Sequence, residues 1–188
     1  MQELTVIKVF PDGFQFYHWN NHTMNKGWHR GREVATLGKN FSDAVKEAKT
    51  KYIVRIDGDD SQLAYFNQYG LHLIKAHGFA VSPRYLIKDR WFFVDKPQGA
   101  GIFYEREKFL EVGGYDETLD YQADLDFYIR YTKKYKIMVE YGLIYLWDAT
   151  KGRSRTLTPE IEKARSEILN RYGLKDSEAH HFGGYHYL

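Results

Sequence analysis

The stretch Tyr52-Ile53-Val54-Arg55-Ile56-Asp57-Gly58-Asp59-Asp60 decides how this chain is read. It opens as a β-strand, because Tyr, Ile and Val suit a pleated, half-buried surface. It closes in three carboxylates around a glycine that permits a sharp turn. In an open α/β sheet, ligands bind just outside the carboxyl ends of the strands. A carboxylate cluster there suits a hard divalent cation such as Mg²⁺ or Mn²⁺, which takes oxygen ligands and bridges to substrate phosphates. Chemistry on a nucleotide diphosphate is one reading of the run. The other is an acidic turn that caps the following helix, since Asp is common in turns and at N-caps.

Working outward, Phe41, Ala44, Val45 and Ala48 follow helical spacing, with Asn40 or Ser42 as cap, and feed the Tyr52–Ile56 strand. Leu4–Phe10 reads as an earlier strand, broken by the turn signal Pro11-Asp12-Gly13. Between Trp19 and Gly38 the chain is polar and rich in Asn, Gly and basic residues, which predicts a long loop. Downstream, Leu63–Ala76 is helical in pattern although Gly70 interrupts it, and Gly78 is its stop. Phe79–Ser82, Tyr85–Ile87, Trp91–Val94 and Ile102–Tyr104 are short strand candidates. A short helix, Glu105–Val112, ends at Gly113-Gly114, and another runs from Ala123 to about Tyr135. Ile137–Glu140 and Leu143–Trp147 read as strands. Pro159 opens a last amphipathic helix with Ile161, Ala164, Ile168 and Leu169 on one face. This alternation predicts the α/β class. A single compact domain is expected, with residues 1–60 as one half, 61–158 as the other, and 159–188 as a C-terminal helix and tail.

The 188 residues suffice for a sizeable core. With 27 Lys+Arg against 25 Asp+Glu, the net charge of +2 provides no strong field for nucleic acid. The absence of Cys excludes disulfides and thiolate zinc sites. No signal-peptide pattern opens the chain and no run is long enough to span a membrane, so a cytoplasmic protein is expected, with peripheral membrane contact left open. The 16 Tyr and 12 Phe are assigned mostly to the core.

A second informative region is Gly113-Gly114-Tyr115-Asp116-Glu117, followed by Asp124-Leu125-Asp126 and Arg130. Two apart on a helix, Asp124 and Asp126 point to different faces. Asp126 lies four residues before Arg130, the spacing of a helix-surface ion pair. Asp124 has no such local partner and is the better candidate for a reacting carboxylate. Its other reading is a first-turn Asp favoured by the helix dipole.

Taken together, the strand ending in Asp57-Gly58-Asp59-Asp60, the Gly113–Glu117 turn and the Asp124–Arg130 segment resemble the inverting glycosyltransferases of family 2. The resemblance runs from about Asn40 to about Thr156. It implies a GT-A-like fold, a Rossmann-type mixed, mostly parallel sheet flanked by helices, here with a shortened N-terminal half. It implies a hexosyltransferase-type enzyme that needs Mn²⁺ or Mg²⁺ and moves a sugar from a nucleotide-diphosphate sugar to a glycan, glycoprotein or lipid-linked acceptor. Asp57-Gly58-Asp59 falls on the family's DXD motif. Asp59 is then the metal ligand, Asp60 a supporting one, and Asp57 contacts the ribose or the metal's water. Asp124 falls on the catalytic base and Asp12 on an acidic turn that contacts the nucleotide. Lys151, Arg153 and Arg155 are expected to reach the diphosphate from a mobile segment. Ala123 departs from the Glu that usually precedes the base. A non-catalytic sugar-binding module, a glycoside hydrolase with paired carboxylates and a sugar-phosphate nucleotidyltransferase are the alternatives.

Overall fold

The computed structural model describes residues 3–10, 13–20, 23–30, 37–87, 92–148 and 158–178. Their centre is a nine-stranded mixed sheet. Its strands are β1 (Leu4–Phe10), β2 (Gly13–Asn20), β3 (Thr23–Arg30), β4 (Tyr52–Asp57), β5 (Ser61–Gln62), β6 (Ala80–Ile87), β7 (Phe92–Val94), β8 (Phe103–Glu105) and β9 (Ile137–Trp147). They lie in the order β3-β2-β1-β4-β8-β6-β9-β5, with β7 paired to β6. β1 runs parallel to β4 and β6 parallel to β9, while β8 is antiparallel to both β4 and β6. The carboxyl ends of β1, β4, β6 and β9 therefore all point the same way.

The helices are α1 (Leu37–Glu47), α2 (Phe66–His77), α3 (Arg106–Glu111), α4 (Ala123–Thr132) and α5 (Pro159–Tyr172). The apolar side chains divide between the two faces of the sheet. Ile7, Val9 and Ile53 join Phe41 and Val45 of α1, Phe109 of α3 and Phe127 of α4 in one cluster. Leu4, Val6, Val54 and Ile56 join Phe66, Leu73 and Ile74 of α2 in another. This is the period-2 alternation of strands buried on both faces. α5 closes on α4 through Ile168, Leu169, Leu125 and Ile129. Its start is the expected one, since Thr158 caps Ile161 N at 3.4 Å and Pro159 follows.

Several expectations are corrected. Thr23–Arg30 is not a loop but the strand β3, registered antiparallel to β2 from Gly13↔Arg30 to Asn20↔Thr23. A sheet-edge strand has one free side and need not carry the apolar alternation that marks a buried one. Helix α1 begins at Leu37, so Asn40 and Ser42 are not caps. Their buried polar groups instead bind across the fold, Asn40 Nδ2 donating to Phe10 O at 2.9 Å and Ser42 Oγ accepting from Tyr115 N at 3.2 Å. The strands expected over Phe79–Ser82 and Tyr85–Ile87 are one strand, β6, which starts at Ala80 and shifts register at Pro83/Arg84. A proline cannot donate to the ladder, and a bulge is where a strand tolerates it. Opposite the shift, Pro83 pairs with Glu140 and Arg84 with Ile144, so β9 is also continuous where a break was expected.

Gly70 in the middle of α2 has a packing reason. A Cβ there would lie 2.2 Å from Cε2 and 2.3 Å from Cζ of Phe103, a side chain with no exposure. Gly70→Ala gains about 1 kcal/mol of helix propensity but forces overpacking, which typically costs about 1–3 kcal/mol. The net expectation is a lower urea midpoint with an unchanged slope, measured by equilibrium denaturation.

Candidate active site

On β4 the two-residue period that sends Val54 and Ile56 towards α2 sends Arg55 and Asp57 to the other face, the one that carries α4. Arg55 is buried, at 7% exposure. Its Nε donates to Asp57 Oδ1 at 2.7 Å and its Nη2 to Asp57 Oδ2 at 3.2 Å, the paired geometry that a guanidinium makes with a carboxylate. Burial opposes the Arg55 charge, but the charge of Asp57 overrides it and holds the group well above its ordinary range. The guanidinium also lies 5.7 Å from the ring centroid of Tyr115.

The acidic turn follows. Gly58 is required there, because a Cβ would lie 2.4 Å from Cδ1 of Phe10, at the end of the neighbouring parallel strand. Asp60 N closes the turn on Asp57 O at 3.1 Å. The Asp60 carboxylate points inward, where it accepts from Tyr145 OH at 3.0 Å and from Asp148 N at 2.9 Å. Burial first, and then the charge of Asp57, push its carboxyl up to about 7. Asp59 is exposed. The four-residue run thus separates into a carboxylate paired to Arg55, a buried one and a solvated one.

Asp124 arrives from the first turn of α4. Gln122, at φ 59°, occupies the left-handed region and sets the chain's entry into that helix. Asp124 Oδ1 accepts from Leu125 N at 3.0 Å. Burial raises its pKa, and the charge of Arg55 opposes that rise. Asp126, on another face of α4, forms the predicted pair with Arg130 at 2.6 Å, but it is no surface pair. Asp126 is only 1% exposed and also accepts from Tyr172 OH at 2.7 Å. Arg130 extends to Gly114 O at 2.7 Å and to Val112 O. This staple fastens the Gly113-Gly114 turn, whose glycines sit at φ 87° and 64°, to α4 and α5. Asp116 and Glu117 are likewise structural, Asp116 closing a turn on Thr118 N at 2.9 Å and Glu117 pairing with Lys39 and Lys46.

Segment 98–101 runs beneath this cluster. Tyr85 OH donates to Ala100 O at 2.6 Å and accepts from Gln98 N at 3.1 Å. Tyr115 OH donates to Gly99 O at 3.3 Å, and Tyr128 OH to Gln98 O. Gly101 N donates to Arg55 O at 2.7 Å. Tyrosine hydroxyls thereby fix the backbone of this segment against β4.

The structure brings Asp57 and Asp124 to one face around Arg55, leaves Asp59 in solvent at the same strand end, and turns Asp60 away. Asp12, Lys151, Arg153 and Arg155 lie outside the described residues. Arg55, Gly99 and the pinning tyrosines are not expected from sequence, although Arg55 shares the strand parity of Asp57. Among the described residues, no three His, Cys, Asp or Glu side chains are grouped to hold a metal ion by themselves. No helix among them is long and apolar enough to cross a membrane.

The sequence matches no protein-family model and no curated protein. Its structure is nonetheless similar to solved ones. S. aureus TarS 1-349 in complex with UDP-GlcNAc superposes with a TM-score of 0.61 at 13% identity, over 80% of this chain and 52% of that one. The same TarS fragment in complex with UDP gives a TM-score of 0.54 at 14% identity, over 77% and 48%. A longer S. aureus TarS structure gives 0.52 at 15% identity, over 79% and 30%. The chain spans about half the length of TarS 1-349. At these identities the likeness is one of fold, and it places the chain among GT-A-like α/β domains.

Proposed function

We propose that this chain is a metal-dependent, inverting glycosyltransferase that moves a sugar from a nucleotide-diphosphate sugar to an acceptor hydroxyl on a glycan, glycoprotein or lipid-linked acceptor. The observation that carries this reading is the meeting of Asp57 and Asp124 around the buried Arg55, with solvated Asp59 at the same strand end. The UDP-GlcNAc and UDP bound to TarS, which shares the fold, support a uridine diphosphate sugar as donor.

The donor set suits a cation that is only partly ligated by protein. Mg²⁺ typically takes one or two carboxylates and completes its shell with water and substrate phosphates, so it needs no closed protein cage. Asp59 is the carboxylate open to that role. The Asp57 oxygens are committed to Arg55, which orients that carboxylate towards the ribose or a metal-bound water. Asp60 acts as a latch that ties the turn to the end of β9. When bound, the cation supplies positive charge to the departing diphosphate. Asp124 accepts the proton of the acceptor hydroxyl as the acceptor oxygen bonds to the anomeric carbon. The bond from that carbon to the diphosphate oxygen breaks on the opposite side, and its electron pair leaves with the diphosphate. Asp12 would contact the nucleotide, and Lys151, Arg153 and Arg155 the diphosphate. A glycoside hydrolase would use two carboxylates without a nucleotide. The Asp57–Arg55 pair argues against it, because a carboxylate held by a guanidinium is a poor general acid.

The first test is a thermal-shift panel of UDP-, GDP-, dTDP- and CMP-sugars with Mn²⁺, Mg²⁺ or EDTA. Stabilisation by UDP-sugars that EDTA removes is expected, and Asp59→Ala should abolish it. A panel in which no donor stabilises the chain refutes the reading. Asp124→Asn should keep donor affinity while transfer falls about 10²–10⁴-fold; undiminished turnover would move the base elsewhere.

Asp60 generates a separate expectation. Its carboxyl rises from 3.8 to about 7 on folding, so the folded chain holds a proton that the unfolded chain has released between those values. The stability this group contributes is full below about pH 4 and is lost as pH rises through about 7, a swing on the order of 4 kcal/mol. Asp60→Asn should flatten the fall in urea midpoint across that window.

A further inference from the structure

Tyr65, Phe79, Phe93 and Tyr141 are the exposed large apolar side chains among the described residues, and two of them flank one arginine. The Arg84 guanidinium lies 3.9 Å from the ring centroid of Phe93 and 5.6 Å from that of Tyr141. Its Nε donates to Asp95 Oδ1 at 2.7 Å. The stack on Phe93 and this hydrogen bond together hold the guanidinium in place. Both Nη amino groups are left without an acceptor among the described residues, and Asp95 Oδ2 without a donor. The two side chains are 32% and 38% exposed, so these open groups are within reach of a ligand.

The display of Tyr141 is built into its strand. Pro83 pairs with Glu140 and Arg84 with Ile144, so Tyr141, Gly142 and Leu143 have no partners on β6 and the strand bulges there. Bulges re-aim side chains and are over-represented beside active sites. This one is fixed from two directions: Gly142 N donates to Glu140 Oε1 at 3.1 Å, and Tyr65 OH donates to Gly142 O at 3.2 Å. Tyr141 is thereby held with 62% of its surface exposed, a position that contributes little to the core.

Strand pairing places this cluster relative to the candidate active site. Val54 of β4, Phe103 of β8 and Val81 of β6 stand in one row across the sheet, all on the face that carries α2. Three residues further along the two parallel strands come Asp57 and Arg84, which belong to the opposite face. Tyr85 and Val94 pair on the α2 side, which puts Phe93 on the side of Arg84. Strands lie about 4.8 Å apart, so the backbone of Arg84 is about 10 Å from that of Asp57, two strands across on one face.

We propose that Arg84, Asp95, Phe93 and Tyr141 form a binding site for one sugar ring of an uncharged glycan. A pyranose presents a flat array of C–H groups on one face and a rim of hydroxyls, each with a proton to give and lone pairs to receive. The C–H face matches the exposed ring of Tyr141. Neighbouring hydroxyls match the open guanidinium donors on one side and the open carboxylate oxygen on the other. A phosphate or carboxylate matches less well, because Asp95 already answers the charge of Arg84 and Glu140 adjoins Tyr141. The site lies apart from the carboxylates of the acidic turn, and sugar binding there does not rest on the transferase reading. A glycan held by it lies on the sheet face that carries Asp57.

The test is saturation-transfer NMR on the whole chain, in EDTA and without nucleotide, with chitotriose, cellotriose, maltotriose and mannotriose as probes. At least one trisaccharide should bind with a Kd of about 1 mM. Tyr141→Ala and Arg84→Met should each weaken it at least about tenfold. Melting near the wild-type temperature is expected for Tyr141→Ala, whose side chain is exposed, and this variant decides the matter if Arg84→Met does not fold. Failure of all four probes to bind overturns the site, as does a Kd indifferent to Tyr141→Ala. Displacement of the sugar by an equal concentration of inorganic phosphate overturns it too, since the arginine would then serve an anion. The UDP-sugar panel fails or succeeds separately. A chain that binds a trisaccharide but no nucleotide sugar keeps this site and loses the transferase reading, and the reverse result keeps that reading and loses the site.

Discussion

Everything in this site depends on β4 lying between two other strands and being buried on both faces. A strand in that position has no solvent side, so each alternate residue must satisfy a packed layer. Tyr52, Val54 and Ile56 do so with carbon, against α2. On the other face Ile53 does the same against α1 and α3, but Arg55 and Asp57 do not. A guanidinium in that layer is tolerable only when its charge and donors are matched, and Asp57, two residues on and therefore on the same side, matches them. The pair is thus a consequence of strand parity.

Local patterns are legible in the sequence, and tertiary ones are not. The strand Leu4–Phe10 lies where its apolar run puts it, and the Thr158–Pro159 start of α5 and the Gly78 stop of α2 follow local rules. The Asp126–Arg130 pair is also legible, because i and i+4 meet on any helix. Its burial is not, since that depends on α5 delivering Tyr172 across the chain. Strand β3 escapes a sequence reading because its residues are polar and Gly-containing, while its partner β2 supplies the hydrogen bonds that make it a strand. Arg55 escapes for a similar reason: an arginine in an apolar strand looks like an exception until its partners Asp57 and Asp124 are seen on the same face. Gly99 carries no local sign of its place, since only the fold brings Asp124 Oδ2 to 3.5 Å from where a Cβ on it would lie.

The motif segments also divide by task. Most of the run from Gly113 to Arg130 is structural: Asp116 closes a turn, Glu117 pairs with lysines of α1, and Asp126 and Arg130 staple the glycine turn to two helices. Removing one member of such a buried pair would leave the other charged and unmatched, which typically costs about 3–5 kcal/mol. This scaffolding delivers one group, Asp124, to one place.

The site holds four carboxylates near one strand end, and like charges so placed resist being ionised together. The structure resolves this by giving each a different environment. Asp57 is neutralised by Arg55. Asp60 is buried against Tyr145 and Asp148, and its affinity for a proton rises until it need not be charged. Asp124 is raised by burial but held back by the same guanidinium that serves Asp57. Asp59 alone of the four remains in solvent. One arginine stands between two of the four and offsets the charge of both. Without its positive charge, Asp57 and Asp124 would share one desolvated face with nothing to offset them.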